Sequence, residues 1–106
     1  MTPREAAQAM AERLLRDLPA EEVWLFGSQA RGDATPDSDV DVLAIVPDST
    51  ESRYRRAVTA HGLLADVHFP KDIIVLTRRE WEKELKVPSS LSSTVMREGV
   101  RLSHAS

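Results

Sequence analysis

Ten residues separate a Gly27-Ser28 pair from Asp39, which is followed one residue later by Asp41, and together these positions can do phosphate chemistry. In an extended segment alternate side chains share a face, so Asp39 and Asp41 project from the same side, with Leu43 and Ile45 following them into the protein. Like charges at such range raise one pKa or demand a cation between them. Oxygen ligands that leave positions for water and phosphate suit magnesium. Two such ions roughly 3.5–4 Å apart clamp the attacking and leaving oxygens of an in-line displacement. Gly27 lets backbone approach a triphosphate closely, and Ser28 offers a hydroxyl and a helix-start N–H. Gly32 then closes a short helix in a left-handed cap.

These residues need elements to hold them. Ala7, Met10, Ala11, Leu14 and Leu18 recur at helical spacing, with Thr2 as a cap and Pro3 in the first turn, which predicts a first amphipathic helix. Pro19-Ala20 breaks it. Glu22 to Phe26 is apolar on both faces, as in an interior strand that ends at the glycine. A second strand is expected from about Ser38 to Val46, stopping at Pro47-Asp48. Ser49 or Thr50 then caps a second long helix whose apolar stripe is Tyr54, Ala57, Val58, His61 and Leu64 or Ala65. A third strand covers about Asp72 to Leu76. Thr77-Arg78-Arg79-Glu80 has the form of a capping box opening a helix with Trp81 and Leu85. Pro88-Ser89-Ser90 resets the chain, a short helix through Val95 and Met96 ends near Gly99, and Val100 to Leu102 forms an edge strand. The serines at 89, 90, 92 and 93 read as a flexible link, and the final residues as frayed.

The apolar strand before Gly27, the Ala30-Arg31-Gly32 after Ser28 and the run Ser38-Asp39-Val40-Asp41-Val42-Leu43 resemble the DNA polymerase beta-like nucleotidyltransferase superfamily. Within it they are most similar to the small stand-alone branch, the minimal nucleotidyltransferases. The resemblance implies an α+β fold, a small mixed β-sheet with helices packed on it. It also implies a third metal-binding carboxylate at the start of a later apolar strand, where Asp72 is the candidate. Asp72, Ile74 and Leu76 alternate as Asp41, Leu43 and Ile45 do, so adjacent strands can bring the three acids together. Asp66 competes for this role but precedes the strand and Pro70, as a loop residue does. By the same resemblance Arg31 assists with the β and γ phosphates, a role its fork of donors suits. The implied reaction is attack of a hydroxyl on the α-phosphate of a nucleoside triphosphate, with pyrophosphate leaving.

In this branch the enzyme is commonly encoded beside a HEPN-domain protein, and the pair resembles a toxin and its antitoxin. The implied function is transfer of AMP from ATP, with two Mg2+ ions held by Asp39, Asp41 and Asp72, to a tyrosine hydroxyl of a HEPN-family ribonuclease toxin. A module that masks its partner sterically, or transfer to a small molecule or an RNA end, are the competing readings.

With 106 residues the chain is expected to form one domain, residues 1–106, without a separate domain for acceptor recognition. The net charge of −3 and the acids at Asp33, Asp37, Asp39 and Asp41 give no support for a nucleic-acid backbone as ligand. There is no cysteine, hence no disulfide framework or zinc-cysteine site. No signal peptide and no apolar run of membrane-spanning length stand out, which points to a cytoplasmic protein. Trp24 and Trp81 read as core residues rather than base-stacking platforms. His61 reads as a buried or half-buried structural residue, and His68 as a candidate behind the carboxylates. The basic sets Arg53, Arg55, Arg56 and Arg78, Arg79 read as solvated helix faces.

Overall fold

A computed structural model describes residues 1–103. The elements run α1 (Pro3–Asp17), β1 (Glu22–Phe26), α2 (Ser28–Arg31), β2 (Val40–Val46), α3 (Arg53–Leu63), β3 (Lys71–Thr77), α4 (Arg78–Leu85), α5 (Leu91–Glu98) and β4 (Val100–Leu102). This is the expected α+β fold. The four strands lie in the order β3-β2-β1-β4, with β2 and β3 parallel and the other neighbours antiparallel. Parallel neighbours need a crossover, and α3 supplies it. No helix among the described residues is long and apolar enough to cross a membrane.

β2 is buried nearly throughout because both faces of the sheet are covered. On one side Val42, Ala44, Ile73 and Val75 meet Met10 and Leu14 of α1 and Ala60 of α3. On the other, Leu43, Ile45 and Leu76 meet Trp81 of α4 and Val95 of α5. Each such aliphatic side chain contributes about 1.5–3 kcal/mol on burial. The two tryptophans stack with ring centroids 5.9 Å apart, Trp81 only 2% exposed, so both belong to packing as expected.

Two capping boxes set helix starts. Thr2 and Glu5 exchange bonds at the head of α1, and Thr77 and Glu80 do the same at α4. Other expectations need correcting. β2 begins at Val40 rather than Ser38, because Ser38 closes a turn: its hydroxyl accepts from Thr35 N–H at 2.9 Å and its N–H donates to Thr35 O at 3.0 Å. β1 alternates, burying Val23 and Leu25 while Glu22, Trp24 and Phe26 stay half-buried. The cap of α3 is Ser52, not Ser49 or Thr50, since Ser49 is used inside the preceding loop to accept from Glu51 N–H.

Of the stripe expected on α3, Leu64 is buried and Ala57 half-buried, but the rest faces outward. Tyr54 is 77% exposed, Val58 51%, and His61 is exposed too, whereas Arg56 and Ala60 face the sheet, followed by Leu64. Arg56 is therefore no solvated residue: it is 8% exposed and donates to Val75 O, Glu51 O and the Glu80 carboxylate. Arg53 pairs with Glu84, and Arg78 with Glu21 and Glu22. The serine run is not a link either. Ser90 caps α5, Ser92 and Ser93 are buried, and their hydroxyls bond to Glu84 and Val87. The fraying expected at the very end concerns residues 104–106, which lie outside the described residues.

Candidate active site

β1 ends at Phe26, opposite Asp41 in the antiparallel register, and Asp41 stands opposite Asp72 in the parallel register of β2 and β3. The end of one strand and the starts of two others therefore meet at one edge of the sheet. Asp41 and Asp72 share a strand-pair position roughly 4.8 Å apart in backbone spacing, and alternation puts both on the face carrying Leu43, Ile45 and Leu76. Asp39, just upstream of β2, is exposed, as is Asp72, whereas Asp41 is half-buried.

Electrostatics ties these groups together. Burial pushes the Asp41 carboxyl above its ordinary value, the negative charges of Asp72 and Asp39 push it further, and Arg31 pulls it back. An acid so placed is stabilised by a cation, which would replace the water that burial removed and offset its two neighbours.

The turn after β1 fits closely under this carboxylate. Gly27 has φ 73° and ψ −155°, a conformation essentially confined to glycine, and a Cβ there would overlap Asp41 Oδ2. The side chain is thus excluded twice, by backbone and by space. α2 follows, with Ala30 and Arg31 N–H groups both donating to Gly27 O at 3.1 Å, and it ends where Gly32 takes φ 86°, the left-handed cap expected from sequence. Ser28 opens this helix, where backbone N–H groups lack intrahelical partners. Arg31, in its last turn, donates from Nε to Asp33 Oδ2 at 3.3 Å, with Nη1 4.0 Å from Glu98 Oε2. No sequence motif marked Glu98, because only the fold carries the end of α5 to this turn.

Asp66 does not join the acids. It is bound by both Nη atoms of Arg13 at 2.8 and 3.0 Å on the loop before β3. His68 is exposed, and its charge acts on Asp66. Lys71, beside Asp72, donates to Val67 O and Phe69 O and so fastens the loop that leads into β3.

Among the described residues no three acidic or histidine side chains already converge as a closed metal cage would. The donor set nonetheless fits magnesium, which takes one or two carboxylates and keeps water and substrate phosphate for its remaining positions. Two cavities, of about 420 and 410 Å³, lie at the opposite end of the sheet around Pro47, Asp48, Ser49 and Arg56. Asp39 and Asp72 sit exposed at the other rim of the sheet, with Asp41 half-buried between β1 and β3.

Comparison with known proteins identifies the family and the fold. The family model described as nucleotidyltransferase domain matches residues 5–101. A protein of Sulfolobus solfataricus assigned by inference as a nucleotidyltransferase superposes with a TM-score of 0.61 at 24% identity, over 92% of this chain and 76% of the other. A toxin-antitoxin crystal structure containing AMP-PNP superposes with a TM-score of 0.56 at 20% identity, over 92% of this chain and 73% of the other. At such identities the two likenesses speak for the fold. No curated protein matches the chain significantly.

Proposed function

The chain belongs to the nucleotidyltransferase domain family, and from that premise we propose that it transfers AMP from ATP to a hydroxyl of a partner protein, as the antitoxin of a HEPN-type toxin. One observation carries the reading: Asp41, with its raised pKa, faces Asp72 across β2 and β3 directly beside the Gly27 turn. Asp39, Asp41 and Asp72 would hold magnesium, which would supply charge neutralisation for the α-phosphate and the departing pyrophosphate.

The rest of the work falls to the chain's own groups. The Gly27-Ser28 turn admits the triphosphate against backbone, with the Ser28 hydroxyl and the free amides of the α2 start as donors. Arg31 offers its fork to the β and γ phosphates. Asp72, at the start of β3 and exposed to the rim, stands where an incoming hydroxyl can lose its proton to it. Orienting acceptor and phosphate on one rim supplies much of the rate.

Two features favour a protein acceptor. Asp39 and Asp72 are exposed, where a bulky acceptor can reach them, and the toxin-antitoxin neighbour shares the fold. Clustered acids beside the site disfavour a nucleic-acid strand. Tyrosine as the accepting hydroxyl, ATP as the donor and HEPN as the partner come from the family resemblance.

The test is to incubate the protein, magnesium and α-labelled ATP with extract of its source cells, beside the Asp39→Ala/Asp41→Ala variant, and resolve the products on a gel. A protein band labelled by the wild type alone supports transfer. A partner retained by both proteins but labelled by neither would replace transfer with steric masking.

A further inference from the structure

Glu98, the last residue of α5, stands beside the arginine assigned to the phosphates. Its place is fixed by backbone. Gly99 N–H donates to Val95 O at 2.7 Å, and a Cβ on Gly99 would lie 2.9 Å from Leu25 O, so this segment runs tight against β1. Val100 then pairs with Leu25, two residues before Gly27. Glu98 is thereby held in register with the Gly27-Ser28 turn, although it is distant from it in sequence.

The Arg31 guanidinium sits between two carboxylates. Its Nε is taken by Asp33 and its Nη1 lies 4.0 Å from Glu98 Oε2, while Nη2 has no protein acceptor among the described residues. Two effects of Glu98 on phosphate binding oppose each other. A carboxylate could align the fork for an incoming phosphate, which would favour binding. It also competes for the same positive charge, which opposes binding. At 4.0 Å there is no hydrogen bond to impose direction, and both side chains are close to half exposed, at 45% and 44%, so the ordering contribution is small. Competition for charge needs no exact alignment and therefore dominates.

We propose that Glu98 competes with the triphosphate for the positive charge of Arg31 and takes it back when pyrophosphate leaves. This rests on the reading of Arg31 as a phosphate ligand. Its consequence is a nucleotide held less tightly than the arginine alone would hold it, in exchange for easier product departure, a step that limits turnover in many enzymes.

The experiment is calorimetric titration of ATP, inorganic pyrophosphate and AMP, each with magnesium, into wild type, Glu98→Gln, Arg31→Ala and the double variant. Glu98→Gln should tighten ATP and pyrophosphate about two- to fivefold and leave AMP, which lacks the outer phosphates, unchanged. The gain should vanish in the Arg31→Ala background. The nitrogen resonances of the Arg31 guanidinium, recorded without nucleotide, should move in Glu98→Gln. Unchanged or weaker ATP binding in Glu98→Gln overturns the proposal, as does an equal gain without Arg31, which would make Glu98 a plain surface charge. If wild type binds ATP and Arg31→Ala weakens it while Glu98→Gln has no effect, only the role of Glu98 fails. If wild type binds neither ATP nor pyrophosphate, the nucleotide reading fails and takes this role with it.

Discussion

Asp41 and Glu80 belong to opposite ends of the same sheet, and their neighbours push them in opposite directions. Asp41 lies where β1 ends and β2 and β3 begin; burial and the charges of Asp72 and Asp39 hold its carboxyl above the ordinary range. Glu80 lies in the first turn of α4, just beyond the end of β3. There the Arg56 guanidinium, the Thr77 N–H and the Thr77 hydroxyl bring its carboxyl down to about 2. Every charge in the Glu80 cluster has a protein partner, and the cluster joins α3 to α4 across the edge of β3. At the other end Asp39, Asp41 and Asp72 make no ion pair among the described residues, and Arg31 offsets Asp41 only in part. The contrast teaches where this fold spends interactions on holding together and where it leaves them open for a ligand.

The largest test of that contrast is removal of the open acids. Asp39→Ala/Asp41→Ala should lower transfer about a thousandfold or more, measured with α-labelled ATP, while the circular dichroism spectrum stays native. Retained transfer would make the acid end an ordinary charged surface. At the paired end, Arg56→Ala should lower the free energy of unfolding in urea by about 2–4 kcal/mol, because it strands Glu80 and the Val75 carbonyl, and should leave ATP affinity of the folded protein unchanged. Gly27→Ala, at the junction of the two demands on β1, should lower stability by about 1–3 kcal/mol through its φ of 73°. It should also lower transfer about a hundredfold by displacing Asp41.

Acid titration separates the two ends as well. Glu80 has a folded pKa of about 2 against an ordinary 4.5, so the stability it contributes is complete above 4.5 and is lost as pH falls from there toward 2. Glu80→Gln should abolish that part of the acid transition, read as urea stability against pH. An unchanged acid transition would mean that Arg56 does not hold this carboxylate in solution.

The two ends were not equally legible in the sequence. Gly27, Ser28, Asp39 and Asp41 stood out through local turn chemistry and strand alternation, Arg31 and Asp72 through the family resemblance; what the structure adds is the β2–β3 register that sets Asp41 opposite Asp72, as alternation expected, while their roles belong to the proposal. The capping box at Thr77 was legible for the same local reason. Arg56 was not. In a helix with apolar positions on two sides, periodicity alone favoured the stripe of Tyr54, Val58 and His61, yet the sheet edge offered the Val75 carbonyl and Glu80, which a long arginine satisfies and an aliphatic side chain does not. The serines near α5 misled similarly: composition suggests a link, but their hydroxyls bond to Glu84 and Val87, partners visible only once α4 and α5 are packed. Glu98 likewise gains its meaning from the run of α5 into β4.

The smallest effect sharpens the comparison most, because its sign is opposite to that of Glu80. A carboxyl whose folded pKa is raised disfavours the folded state once it ionises, so Asp41 costs stability at neutral pH, and that cost is relieved as pH falls through its folded pKa. Asp41→Asn should therefore raise stability slightly at neutral pH without magnesium, while transfer is lost. The gain should shrink on acidification, when wild-type Asp41 takes up its proton. Magnesium should stabilise wild type more than Asp41→Asn, since a ligand that binds only the folded state stabilises it in proportion to its occupancy. Should Asp41→Asn prove neutral or destabilising under these conditions, Arg31 would already compensate the acid end, and the division of the sheet into a paired end and an open end would not hold.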